Sequence, residues 1–416
     1  MDALPSLGQG PLKTPSLIET PVAGFRAGAA AAGLRKDGRI DLALIAADRP
    51  VAAAGVFTSN RLAAAPVQVS RRHLAAGRVQ AILANSGGAN AATGAPGLAA
   101  AEACCAAAGA ALGCDPGLVL PCSTGVIGQL LDAGKVAAAL PGLAAGLAPE
   151  GLPRACQAIM TTDAFPKMAR ATAVIAGREI SIVGMAKGAG MIRPDMATML
   201  SFVLTDAAAA PAALRLALGQ AAEVSFNRAS VDGDTSTNDT LLLLASGRAG
   251  NPELTPESPE LAAFTAALTQ VCQALAAMLV ADGEGAGHLV LLRVTGAPDA
   301  EQARSHCYAI AHSPLCKTAL AGNDPNWGRI VSTAGAECGR RGWPYDMARL
   351  NLWIGEHQIC RDGLYAGMEA EKGAAAVMQE PRYQIRLDLG LGAGEFWLFT
   401  SDLGHDYVTI NADYRS

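Results

Sequence analysis

Lys187-Gly-Ala-Gly-Met-Ile-Arg-Pro-Asp-Met-Ala-Thr-Met-Leu200 is the segment on which both the fold and the chemistry turn. Before it, residues 180–185 form a short β-branched apolar run that reads as a strand. After it, residues 199–204 read as a second. Between the two, Gly188 and Gly190 permit close approach of the backbone. Pro194 disfavours helix for Arg193. Thr198 therefore stands at a loop-to-strand junction in an apolar setting. Taken alone, a threonine there does no more than start a strand.

Working outward, residues 41–46 and 55–59 read as strands, and 79–84 as a third that stops at Asn85-Ser-Gly-Gly88. Residues 98–112 have helical composition, as do 130–140, where Pro141-Gly142 is expected to end the helix. Residues 211–223 read as a helix opened by Pro211, and 259–280 as a long amphipathic one. Residues 241–245, 289–295, 396–400 and 407–411 read as strands. The irregular alternation predicts a mixed α/β (α+β) protein. Residues 1–20, rich in Pro, Ser, Gly and Thr, are expected to be a mobile leader.

The chain has 416 residues, enough for a large core in two domains or one elaborate one. Its hydrophobic share of 51% against 17% charged argues for a folded protein, and only 4% aromatics implies close packing of small side chains. The net charge of −5, with no long basic run, argues against a nucleic-acid binder. Ten cysteines without a C-x-x-C pair, and six histidines without H-x-x-x-H spacing, argue against a zinc site or disulfide framework. Reduced thiols in the cytoplasm are the simple account. Residues 1–17 show no secretory signal, and 99–112 are expected to be too short and too weakly hydrophobic to span a membrane.

Three kinds of glycine-rich segment lack the chemistry they suggest. Residues 8–14 have the wrong spacing for a phosphate loop, and no strand precedes them. Gly188-Ala-Gly190 and Gly283-Glu-Gly285 lack the third glycine of a dinucleotide fold. Asp232-Gly-Asp234 would open a calcium loop, but its twelfth position is Leu243 where a glutamate is needed. No metal or resident cofactor is expected.

Eight segments, in order, carry a resemblance. They are Ala84-Asn-Ser-Gly-Gly-Ala-Asn-Ala91, Ser123-Thr-Gly-Val-Ile-Gly128, Thr161-Thr-Asp163, the segment quoted above, Val231-Asp-Gly-Asp-Thr-Ser-Thr-Asn-Asp-Thr240, Asp282-Gly-Glu-Gly285, Asp324-Pro-Asn-Trp-Gly-Arg329 and Asp406-Tyr-Val-Thr-Ile-Asn-Ala-Asp-Tyr414. Together they resemble the ornithine acetyltransferases, the bifunctional glutamate N-acetyltransferases of arginine biosynthesis (the ArgJ family), over nearly the whole chain after about residue 19.

The resemblance implies a self-cleaved, N-terminal-nucleophile type of fold shared with certain aminopeptidases. It implies cleavage between Ala197 and Thr198, giving an α chain of residues 1–197 and a β chain of 198–416, assembled as α2β2. Thr198 would be the nucleophile, and Thr124 and Gly125 the oxyanion donors. Thr161, Lys187, Thr198, Glu284, Asn411 and Ser416 would bind substrate, with Lys187 suited to a carboxylate and Glu284 to an ammonium. The substrates implied are N-acetylornithine and glutamate. Some members also accept acetyl-CoA as donor.

The freed threonine amine, with a reference pKa of roughly 7.7–8.0, can take a proton near neutral pH beside the hydroxyl it activates. The run 231–240 fits a supporting network better than direct substrate contact, and 324–329 a tight turn. Gly88, Ala92 and Gly287-His288 depart from residues common in the family, which bears on substrate range more than on chemistry. The alternatives are an aminopeptidase or amidase of related fold, with water as acceptor, and a non-catalytic protein on the same scaffold.

Overall fold

The structure, a computed structural model, describes residues 4–193 and 199–413. Its strands in chain order are β1 (Phe25–Ala30), β2 (Leu42–Phe57), β3 (Arg78–Asn85), β4 (Val119–Ser123), β5 (Lys167–Ile175), β6 (Arg178–Lys187), β7 (Leu200–Thr205), β8 (Ala229–Ser230), β9 (Thr240–Ala245), β10 (Leu289–Ala297), β11 (Asn351–Ile354), β12 (His357–Arg361), β13 (Leu364–Tyr365), β14 (Arg382–Asp388) and β15 (Gly394–Ser401). Among the described residues they make two mixed sheets. One runs β4-β3-β2-β9-β7-β6-β5 with β1 added to β2, and the other β13-β12-β11-β14-β10-β15-β8.

Both faces of the first sheet are buried, which is why its central strands are continuous apolar runs rather than alternating ones. Leu241 and Leu243 face one core cluster, and Leu242 and Leu244 face another on the opposite side. The helices Pro211–Glu223 and Leu261–Ala281 fill the space between the two sheets, packed with Leu289, Leu291, Trp397 and Phe399 of the second. Helix Leu152–Ala158 packs on the face of the first sheet that carries Leu242 and Leu244, and helices Gly94–Leu112 and Ala133–Ala145 pack on the opposite face, on Leu42, Leu44, Ala81 and Leu83. Helices Ala300–Ala311, Pro314–Ala321 and Trp327–Arg341 cover the far side of the second. The mixed α/β class expected from the alternation is the class found.

Several elements differ from the sequence reading. Residues 41–46 and 55–59 are not two strands but parts of the single 16-residue β2. The polar Asp48-Arg-Pro50 that reads as a loop is a bulge, where the register with β3 shifts between Ala46 and Val51. The helix expected to stop at Pro141 runs on to Ala145. Leu140 and Leu143 are both buried against the helix Gly94–Leu112, and their packing carries the turn through the proline.

Helix Gly94–Leu112 itself is longer than expected. It and Leu261–Ala281 are both long and apolar enough to cross a membrane by composition. Here their apolar faces lie inside the core. The described part of the leader is anchored: Ser16 Oγ donates to the Met168 carbonyl at 2.6 Å, and Arg382 donates to the carbonyls of Leu7, Pro11 and Leu12.

The C-terminal segment 407–411 is not a strand. It lies within the helix His405–Asp413. Tyr407-Val-Thr-Ile410 favours β by propensity, but so short a preference yields to tertiary context. In the helix, Tyr407 and Asn411 fall one turn apart on one face.

Candidate active site

β3 and β4 run parallel and end together, with Asn85 beside Ser123. The loops that follow interlock: Thr124 N–H donates to Asn85 O at 2.9 Å, Gly88 N–H to Thr124 O at 3.1 Å, and Ala89 N–H to Val126 O at 3.2 Å. Asn238 pins both loops by donating to the carbonyls of Ala89 (2.7 Å) and Ser123 (2.8 Å). Gly125 sits at φ +132°, where a Cβ would lie 2.8 Å from Gly88 N. Only glycine fits a backbone so placed. The turn presents the Thr124 hydroxyl and the Gly125 backbone to a cleft of about 180 Å³.

Lys187, the last residue of β6, reaches the same cleft from the side. Its Nζ donates to Thr124 Oγ1 at 3.2 Å, and only 3% of the residue is exposed. Burial lowers its pKa, and Lys167 adds to this, while Asp163, Glu284 and Asp239 oppose it. Beneath it lies a fully buried charge group. Lys167 Nζ binds Asp163 Oδ1 at 2.7 Å and Asp282 Oδ2 at 2.6 Å. Asp163 also accepts the Gly188 N–H at 2.6 Å and the Thr161 N–H at 2.9 Å. Burial alone would raise the Asp163 pKa, but the charges of Lys167 and Lys187 and its hydrogen bonds hold it well below the ordinary carboxylate range. One carboxylate thus sets the positions of both Thr161 and the Lys187–Gly188 corner.

The opposite wall is Glu284, two residues beyond the cap of the helix Leu261–Ala281. Its N–H donates to Ala189 O at 2.8 Å, and its Oε2 accepts from Asn411 Nδ2 at 2.8 Å. A Cβ on Gly190 would sit 2.5 Å from that same oxygen, so glycine lets Glu284 close on the loop. The floor is made by the 231–240 run. Asp232 accepts the N–H groups of Met191 (2.5 Å) and Ile192 (2.8 Å) and the Tyr407 hydroxyl at 3.4 Å. Asp239, with no exposure, accepts the Met199 N–H at 3.0 Å, and burial pushes its pKa well up. Met191, Ile192 and Met199 are therefore all tied to carboxylates of one run.

Residues 26–416 match the ArgJ family. The chain belongs to that family. It is 45% identical over 397 residues to the arginine biosynthesis bifunctional protein ArgJ of Brucella suis biovar 1, covering 94% of this chain and 95% of that protein. It is 46% identical over 399 residues to the protein of the same name from Symbiobacterium thermophilum, covering 95% of this chain and 98% of the relative. The crystal structure of arginine biosynthesis bifunctional protein ArgJ from Bacillus halodurans is similar at 38% identity with a TM-score of 0.48, over 51% of this chain and 98% of that one.

In this ArgJ-family chain, Thr124, Gly125, Thr161, Lys187, Glu284 and Asn411 all line the one cleft. Ala197, Thr198 and Ser416 lie outside the described residues. The 231–240 run does more than support: Asp232, Asp234, Ser236, Thr237 and Asn238 reach the cleft wall as well. The buried Asp163–Lys167–Asp282 group escapes a reading by residue type, because Asp282 lies 115 positions from the lysine it binds. The Thr161-Thr-Asp163 and Asp282-Gly-Glu-Gly285 motifs are its signals. Tyr407 escapes because its segment reads as a strand. Of the departures from the family, Gly88 has open space where a Cβ would go. Gly287 and His288 both donate backbone N–H to Asp402 at 2.9 Å, bonds that do not depend on side-chain identity. A small polar cleft with an ammonium and hydroxyl on one side and a carboxylate and amide on the other suits a zwitterion. Nine of the ten thiols are buried, and burial pushes those of Cys104 and Cys105 up to about 12, so they are poor nucleophiles.

Proposed function

We propose that this protein carries an acetyl group from N-acetylornithine to glutamate through an acetyl ester on Thr198, releasing ornithine and N-acetylglutamate in arginine biosynthesis. The precursor first cleaves itself. Thr198 Oγ attacks the Ala197 carbonyl, the acyl group moves from nitrogen to oxygen, and water hydrolyses the ester. This frees the α-amine of Thr198, which serves as the base for its own hydroxyl.

In the transfer, Thr198 Oγ attacks the acetyl carbonyl of N-acetylornithine. The Thr124 hydroxyl and the Gly125 N–H receive the oxyanion. The C–N bond breaks, and ornithine leaves with the proton taken from the hydroxyl. The α-amine of glutamate then attacks the acetyl ester and regenerates Thr198. Lys187 holds the substrate carboxylate, Glu284 with Asn411 holds an ammonium, and Thr161 and Ser416 complete the contacts. The two chains, 1–197 and 198–416, remain interlocked as α2β2 in the cytoplasm, with no resident cofactor.

What carries the reading is the opposition of Lys187 and Thr124-Gly125 to Glu284 and Asn411 across one cleft of an ArgJ-family chain. Purified protein should turn over N-acetylornithine catalytically only when glutamate is present. Equal consumption without glutamate would mean that water is the acceptor, as in an N-terminal-nucleophile amidase. An arm with acetyl-CoA and glutamate alone tests the second donor.

A further inference from the structure

We propose that Lys317 and Asp402 form a buried clamp behind the cleft, positioning the Glu284 loop and the helix that bears Asn411 for amino-acid binding. The inference rests on the function proposed above. Lys317 lies on the helix Pro314–Ala321, outside the cleft, and is 2% exposed. Its Nζ donates to Thr400 Oγ1 at 3.3 Å and to the Ser401 carbonyl, both at the end of β15. Its own carbonyl accepts the Leu403 N–H at 3.3 Å. The two ends of one residue therefore fix the path by which the chain leaves β15 for the helix His405–Asp413.

Asp402 sits within that path. Its Oδ1 accepts the N–H groups of Gly287 and His288, both at 2.9 Å, and its Oδ2 lies 3.3 Å from His288 Nδ1. These bonds hold the loop just beyond Glu284. Asp232, the other carboxylate whose charge acts on Lys317, holds the Met191–Ile192 corner and the Tyr407 hydroxyl. Lys317 and these two acids thus anchor three walls of the site between them, and the charges of both acids act on the ammonium.

A lysine is not what packing alone would place here. Its neighbours include Ile310, Leu320 and Ile330, and an apolar side chain would fill the space without the cost of burying a charge. That cost is visible: burial draws the Lys317 pKa down to about 8 although Asp402, Asp232 and Cys316 act against it. His312, the His288–Asp402 pair and Tyr383, whose ring packs edge-on against His288, are other titratable groups nearby. Both bonds of the ammonium go to the end of β15, from which the chain runs through Asp402 to the helix that bears Asn411. Without the ammonium, Asp402 and Asp232 would lose a buried positive charge and the end of β15 would lose its two side-chain anchors, so the backbone they hold would shift.

The test compares two acetyl donors on the full, self-processed enzyme. N-acetylornithine needs the Glu284 wall, whereas p-nitrophenyl acetate carries neither ammonium nor carboxylate and needs only Thr198 and the oxyanion donors. In Lys317→Met, kcat/KM for N-acetylornithine should fall about 50-fold, mostly through KM. KM for glutamate should rise in parallel, and acetylation by p-nitrophenyl acetate should stay within about twofold. Equal loss with both donors, or loss with neither, overturns the clamp. Should Lys317→Met fail to fold, Asp402→Asn takes its place in both assays: selective loss with N-acetylornithine supports the clamp, and equal loss or no loss overturns it. A wild-type enzyme with no glutamate-dependent transfer would instead refute the function on which the clamp rests.

Discussion

Asp163→Asn tests the physical basis of the site without touching the reacting atoms. Asp163 is buried and uses both oxygens on donors: Lys167 Nζ and Gly188 N–H on Oδ1, and Thr161 N–H on Oδ2. Asparagine has the same shape but only one acceptor oxygen. In either amide orientation its NH₂ meets a buried donor, and Asp282 is left as the one carboxylate on Lys167. Removing one partner of a buried ion group costs about 3–5 kcal/mol, and a donor facing a donor adds to that. We expect unfolding free energy to fall by about 3–5 kcal/mol in urea, followed by fluorescence of the four tryptophans.

The pH dependence should change as well. The folded pKa of Asp163 is depressed, so its contribution is complete above its unfolded value near 3.9 and is lost as pH falls through the folded value. Wild type should therefore lose its advantage over Asp163→Asn only in acid, and the difference should be constant from about pH 5 to 8. Because Thr161 and Gly188 are displaced together, activity should fall even at temperatures where the variant is fully folded. A loss below about 1 kcal/mol, the size expected for an ordinary surface substitution or single neutral bond, would refute the reasoning.

Lys187→Met should lower kcat/KM by about 30-fold or more while leaving the fold intact, since a buried cation bound to a substrate carboxylate is worth about 2–5 kcal/mol. In wild type, kcat/KM should fall on the alkaline side at a pH below the ordinary lysine value of about 10.4, because burial lowers the Lys187 pKa and only the charged form binds. Lys187→Arg should move that limb upward or abolish it. Gly125→Ala places a Cβ 2.8 Å from Gly88 N at φ +132°; kcat should fall about 100-fold as the oxyanion donor is displaced, with KM changing far less. Asn411→Ala removes the 2.8 Å bond to Glu284 and should raise KM for both amino acids by about 3–10-fold, as measured in steady-state assays, with little effect on stability.

How much of this is legible in the sequence depends on the range of each interaction. β7 and β9 are legible because strands buried on both faces are uniformly apolar. The continuity of β2 is not, because a three-residue polar bulge looks, in one dimension, like a loop. Thr124, Gly125 and Glu284 carry no distinguishing periodicity. Their motifs make them candidates, and only the interlocked loops and the Asn411 contact give them geometry. The Lys167 group is illegible for a different reason. Lysine at 167 reads as an ordinary strand residue until Asp163 and Asp282, 115 positions away from the lysine in the second case, are brought to its ammonium. The helix at 405–413 misleads locally, because its β-branched residues sit in a helix that puts Tyr407 over Asp232 and Asn411 over Glu284.

The most direct test of the central claim is the intact mass of the denatured protein after brief mixing with N-acetylornithine in the absence of glutamate. The account predicts two chains, residues 1–197 and 198–416, with one acetyl group added to the second alone. That acetyl group should disappear on adding glutamate and never form in Thr198→Ala, which should remain a single uncut chain. A single unmodified wild-type chain that nonetheless catalyses the transfer would contradict both the self-cleavage and the acetyl-Thr198 intermediate.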